Sequence, residues 1–135
     1  LKDAPGPYTK YFNFTVGTAG LLALMRDQQD RRAGWDDAIV YIDANGHAHS
    51  FSSLDRYGYT GEVSMTGPIK SLRFEGPERA IGRCFVPTSF GLTECLADVS
   101  EEDYQRYRRE APNVWNDFAA WYAARETETS REALL

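Results

Sequence analysis

The sequence predicts an α+β fold, with helices packed on one face of an antiparallel sheet. Three observations carry this: an apolar helical segment near the start, a middle rich in β-branched and aromatic residues punctuated by turn pairs, and a stripe of large residues at helical spacing in the last third. The expected order is one N-terminal helix, a meander of about four to five strands, then two C-terminal helices.

Residues 1–10, with Pro5, Gly6 and Pro7, read as an irregular lead-in. Phe12 and Phe14 suggest a short edge strand. Thr18 is a fair N-cap for a helix over residues 18–31, with Gly34 as its terminator. The Ile-, Val- and Tyr-rich residues 38–43 predict a strand. Asn45-Gly46 is the pair that favours a type I′ hairpin turn into a returning strand over 47–51. Further strands are expected at 62–66, 69–75 and 80–86, separated by Gly67-Pro68 and Gly76-Pro77. Ser100 followed by Asp103 resembles a capping box opening a helix to about Arg109. Pro112 suits the first turn of a second helix, where Val114, Trp115, Phe118, Trp121 and Tyr122 form an amphipathic stripe. Residues 127–135 are polar and expected to fray.

Length and composition bound the rest. The 135 residues fit a single domain over 1–135, and 42% hydrophobic with 26% charged residues is ordinary for a folded chain. A net charge of −5 disfavours a general nucleic-acid binder, and no apolar run approaches the ~20 residues that span a bilayer. Two Cys exclude a disulfide framework, and two His argue against a multi-ligand zinc site. The first residue is Leu1 rather than Met, so a leader, an upstream domain or another segment is expected to have preceded it.

Several constellations could carry chemistry. His47-Ala48-His49 places two imidazoles on one face of a strand, where Asp43 or Glu62 could join them around zinc, yet the third ligand and carboxylate spacing of a cupin-type site are missing. A metal-independent hydrolase or nuclease could use His47 or His49 with Glu62 as acid and base, and Arg73, with Arg83 nearby, as the cation beside a phosphate. Cys84 and Cys95 read as buried thiols without a nucleophile motif, and would close a short loop if the protein were exported. Gly17-Thr18-Ala19-Gly20 lacks P-loop spacing, and Asn13-Phe14-Thr15 is the single glycosylation sequon. The loop over residues 55–62 is the candidate recognition surface, with Arg56, Tyr57 and Tyr59 as its binding residues.

Catalytic motifs are absent while Arg and aromatic content is high. The sequence therefore reads as a non-enzymatic protein-binding or regulatory domain of inhibitor, immunity or viral/phage accessory type. It would act on another protein or by self-association, with no cofactor, metal, nucleic acid or membrane. The alternatives are the small metal-independent nuclease or hydrolase built on His47, His49, Glu62 and Arg73, and a capsid or assembly subunit.

Overall fold

A computed structural model describes residues 8–70, 73, 74 and 80–132, with backbone alone for 126–132. The fold is α+β, and the chain divides into two compact units, Leu1–Gly34 with Tyr59–Glu110 and Trp35–Gly58 with Ala111–Leu135.

The first unit opens with two helices, α1 (Thr9–Thr15) and α2 (Gly17–Leu24). Gly17 sits between them at φ +63°, a left-handed conformation that glycine adopts without steric cost. The edge strand expected at Phe12 and Phe14 is therefore replaced by helix. The Val16 N–H closes a helical turn onto the Phe12 carbonyl at 2.8 Å, and Phe12 packs on the core while Phe14 is exposed. Helix begins at Thr9, inside the expected lead-in, whose residues 1–7 lie outside the described residues. The second helix stops at Leu24, well short of residue 31, because the segment from Arg26 to Arg31 is polar and exposed, or nearly so, and has no apolar face to bury. Thr18 does not cap it; its hydroxyl donates to the Ala80 carbonyl at 3.0 Å. Gly34 follows a strand instead of ending a helix.

Three short strands, β1 (Arg32–Ala33), β4 (Gly61–Val63) and β5 (Phe85–Val86), form an antiparallel sheet in the order β1-β4-β5. Arg32 pairs with Glu62, and Val63 with Phe85. The expected strand over 80–86 is largely a 3₁₀ turn, Ile81–Arg83, in which Cys84 N–H reaches the Ile81 carbonyl at 3.0 Å. No strand forms at residues 69, 70, 73 or 74 either; the Lys70 N–H is taken by the Asp98 carboxylate at 2.7 Å instead of a ladder partner. The remainder of that expected strand (71, 72, 75) and the Gly76-Pro77 turn lie outside the described residues. The five strands thus form two small sheets, since the expected strands at 62–66 and 80–86 pair only in part and residues 69, 70, 73 and 74 do not pair.

Leu21, Met25, Ala33, Val63, Ile81, Cys84, Phe85 and Leu96 make the core of this unit. Gly61 is required there: a Cβ would collide with the Val86 carbonyl oxygen and the Phe85 ring. Helix α4 (Glu101–Glu110) closes the unit and lays Tyr104 and Tyr107 on the core. Its start is the expected capping arrangement, with Asp103 N–H donating to Ser100 Oγ at 3.1 Å and Ser100 Oγ donating to Asp103 Oδ2 at 2.9 Å.

The second unit is a hairpin covered by a helix. Strands β2 (Ala38–Ile42) and β3 (Ala48–Ser52) pair antiparallel, Tyr41 opposite His49 and Ile39 opposite Phe51. The turn differs from the expected type I′. Gly46 N–H bonds the Asp43 carbonyl at 2.9 Å, so Ala44 and Asn45 are the central pair and Gly46 follows at φ +83°. Helix α3 (Ser53–Tyr57) begins directly after β3, capped by Ser52 Oγ accepting from Asp55 N–H at 3.1 Å. Helix α5 (Val114–Glu132) starts after Asn113, whose Oδ1 accepts from Trp115 N–H at 3.0 Å. It runs through residues 127–132, where fraying was expected. Phe118, Trp121 and Tyr122 surround Tyr41, with ring centroids 5.7–5.8 Å away, so α5 covers one face of the hairpin. Such pairs add about 0.5–1.5 kcal/mol each beyond area burial.

Candidate functional site

The densest polar constellation among the described residues is in the second unit, at the mouth of the hairpin. Asp43 directly follows β2 and opens the turn, and its side chain is only 5% exposed. One oxygen, Oδ1, accepts from the backbone N–H groups of Asn45 (2.9 Å) and His47 (3.0 Å), which shapes the turn. The other, Oδ2, accepts from Arg125 Nη2 at 2.8 Å and lies 3.4 Å from His49 Nε2 and 3.7 Å from His47 Nδ1. The Arg125 hydrogen bond, then the turn N–H of His47, hold the Asp43 carboxyl well below the usual carboxylate range. Trp121, one helical turn before Arg125, packs at a tilt against the His49 ring at 4.7 Å and lies under the Arg125 guanidinium at 5.4 Å.

The two imidazoles therefore do approach one carboxylate, as their spacing in a strand suggests. That carboxylate is already neutralised by Arg125, and no group of three or more His, Cys, Asp or Glu that could hold a metal occurs among the described residues. His47 is largely exposed and His49 half-buried.

Glu62 and Arg73 belong to the first unit, whereas His47 and His49 belong to the second. Glu62 is exposed on β4, directly across from Arg32. Arg32 is held by both oxygens of Asp30, at 2.9 and 2.8 Å, and lies over the Tyr59 ring at 5.2 Å. Arg73 is mostly buried and bound: it donates to the carbonyls of Leu96 (2.8 Å) and Val99 (3.2 Å), pairs with Glu101 (3.0 Å) and stacks on Tyr104 at 4.2 Å. Its guanidinium anchors the start of α4, which is a structural use of the residue chosen as a phosphate cation. Arg83 likewise donates to the Phe74 carbonyl.

The recognition loop is not one loop. Arg56 and Tyr57 lie on α3 in the second unit, and Tyr59 lies in the first. Both tyrosines are exposed, 42% and 44%, as expected for a surface. Arg56 Nη1 (2.9 Å) and the Tyr57 hydroxyl (3.0 Å) converge on Asp117 Oδ1 of α5. That hydrogen bond raises the Tyr57 pKa, because the phenol gives up its proton less readily beside a carboxylate. Sequence reasoning named Asp43 beside the two histidines, as a zinc ligand, but missed Asp117 and Arg125 as partners; the signal for Arg125 was its four-residue spacing from Trp121 on the helix stripe.

Both cysteines are free and buried. Burial pushes the Cys84 thiol up to about 12 and raises that of Cys95 as well. Asn13 of the sequon is buried in α1. Trp115, expected in the stripe's core, is 64% exposed, while Val114 beside it is buried.

No family model matches the chain, and no solved structure matches it. Among curated proteins, it is 27% identical over 126 residues to the dITP/XTP pyrophosphatase of Methanopyrus kandleri. It is 28% identical over 121 residues to the dITP/XTP pyrophosphatase of Thermococcus kodakarensis. Each of these alignments takes in 90% of this chain and 58% of the relative. A stretch of 55 residues is 44% identical to the dITP/XTP pyrophosphatase of Pyrococcus horikoshii, covering 40% of this chain and 28% of that protein. The chain thus spans 58% of the length of the first of these curated relatives. These similarities overturn the expectation of a non-enzymatic binding or regulatory domain. They favour the alternative of a small hydrolase, since the proteins this chain resembles are named as nucleotide-hydrolysing enzymes.

Proposed function

We propose that this chain is a nucleotide hydrolase of the pyrophosphatase kind, acting on nucleoside triphosphates such as dITP and XTP. The observation that supports it is likeness along 90% of the chain, at 27% and 28% identity, to two enzymes carrying that name. In the proposed reaction water attacks the α-phosphorus and the bond between it and the bridging oxygen breaks. Pyrophosphate leaves, and the nucleoside monophosphate and a proton are the other products. Such a reaction needs cations beside the polyphosphate as negative charge shifts to the leaving group. Arg125 and Arg73 are committed to Asp43 and Glu101, so neither is assigned that role.

The test is a steady-state assay of the purified chain with dITP, XTP, dATP and dGTP, with and without magnesium, following pyrophosphate. The expected result is kcat/KM at least about tenfold higher for dITP and XTP, a preference within reach of one or two base-edge hydrogen bonds. Absence of pyrophosphate release from all four nucleotides would remove the proposal.

A further inference from the structure

One nitrogen atom in the second unit faces two incompatible partners. His49 Nε2 lies 3.4 Å from Asp43 Oδ2, to which it must donate a proton, and 3.3 Å from Arg125 Nη1, from which it must accept one. It cannot do both at once. The ring is held in place by Trp121 at 4.7 Å on one side and Tyr41 at 6.2 Å on another, so the conflict is built into the packing. Arg125 in turn reaches Asp43 Oδ2 through its other terminal nitrogen at 2.8 Å. Three groups thus share one buried carboxylate oxygen and one imidazole nitrogen.

We propose that His49 is a proton-controlled latch on the Arg125–Asp43 tie that holds α5 to the hairpin. With His49 neutral and its hydrogen on Nδ1, Nε2 accepts from Arg125 Nη1 while Nη2 donates to Asp43 Oδ2. When His49 is protonated, Nε2 becomes a donor and turns to Asp43 Oδ2. Arg125 loses this acceptor, meets a second cation at 3.3 Å, and shares Asp43 Oδ2 with it. The tie loosens as the pH falls.

Among the described residues, the groups that meet His49 are Asp43, directly after β2, Tyr41 on β2, and Trp121 and Arg125 on α5, while His47 at the turn bears on the same Asp43 oxygen. His47 is the other imidazole beside Asp43. It approaches Asp43 Oδ2 at 3.7 Å and bears on the oxygen rather than on Arg125.

The experiment is a double-mutant cycle on the full chain, using Asp43→Asn and Arg125→Gln, with urea unfolding followed by tryptophan fluorescence. It is run at about pH 8 and about pH 5, on either side of ordinary imidazole titration. It is then repeated in a His49→Gln background, where the side chain keeps hydrogen-bonding ability but does not titrate, and in a His47→Gln background. The coupling between residues 43 and 125, expressed as a ratio of folding constants, is expected to fall at least about threefold on acidification. The fall should persist with His47→Gln and vanish with His49→Gln. If the cycle variants do not fold, protection of the Arg125 side-chain N–H groups against hydrogen exchange is read in the unaltered chain and in His49→Gln. Protection should drop in acid only where His49 is present. Equal coupling or protection at both pH values, or a fall that survives His49→Gln, overturns the latch.

Discussion

The two units are held by different physics. The first buries aliphatic, sulfur and aromatic side chains almost completely: Leu21, Val63, Cys84 and Phe85 are each no more than 1% exposed. In the second, Val114 is the one described large apolar side chain that is fully buried, and its cohesion comes from half-buried rings around Tyr41 and from charged ties on Asp43 and Asp117. Close-packed burial resists change of volume; a ring cluster with ion pairs at its rim responds to charge and pH instead. The chain carries probes that separate the two. Trp35, Trp115 and Trp121 all lie in the second unit, and Cys84 and Cys95 both lie in the first.

The largest expected effect is in the first core. Phe85→Ala leaves a cavity beneath β4 and should cost about 3–5 kcal/mol. Thiol exposure in urea should move to markedly lower denaturant. Gly61→Ala should be comparably harmful by the opposite route, overpacking against Val86 and Phe85. A half-buried ring gives less: Trp121→Ala should cost about 2 kcal/mol, read by near-UV circular dichroism of the remaining aromatics. Equal losses from Phe85→Ala and Trp121→Ala would erase the contrast between burial and ring clustering.

Caps come next. Ser52→Ala removes the acceptor for Asp55 N–H at the start of α3 and should cost about 1 kcal/mol, seen as a shift in the tryptophan transition. The smallest effect belongs to the exposed Arg32, whose replacement by alanine should leave the thermal midpoint unchanged within error.

Acid sharpens the same comparison. Asp43 has a folded pKa below its unfolded value, so the stability its charge supplies is complete above about pH 4 and is lost as the pH falls towards the folded value. Tryptophan fluorescence should therefore report loss of structure below about pH 4. Arg125→Gln should weaken that acid dependence, because the guanidinium is the first cause of the depression. The first unit's thiols should stay unreactive to thiol reagents at neutral pH and react only on unfolding, given a Cys84 pKa of about 12.

What the sequence made legible follows from where signals are local. The hairpin showed itself because a β-branched run, a glycine turn and a second alternating run lie within fifteen residues. The capping pair Ser100 and Asp103 and the stripe on α5 were equally local. The sheet order was hidden because β1, β4 and β5 are two or three residues long, and their pairing depends on Gly61 admitting Phe85. Phe12 and Phe14 misled because two aromatics at alternate positions fit a strand, while the helix they form depends on packing Phe12 into a distant core. The site was half visible. The His47–His49 spacing did bring both rings towards one carboxylate, yet the cation that neutralises it, Arg125, is 82 residues from Asp43 in the chain. The proposed hydrolase reading was not legible from any motif; its support is 27% and 28% identity along 90% of the chain and one 55-residue stretch at 44%.

The most direct test of the central claim is product identity from dITP, followed by phosphorus NMR in the presence of the purified chain and magnesium. The proposal predicts loss of the three triphosphate resonances and growth of dIMP and pyrophosphate in equal amounts. Growth of dIDP with inorganic phosphate, or an unchanged triphosphate spectrum, would contradict it.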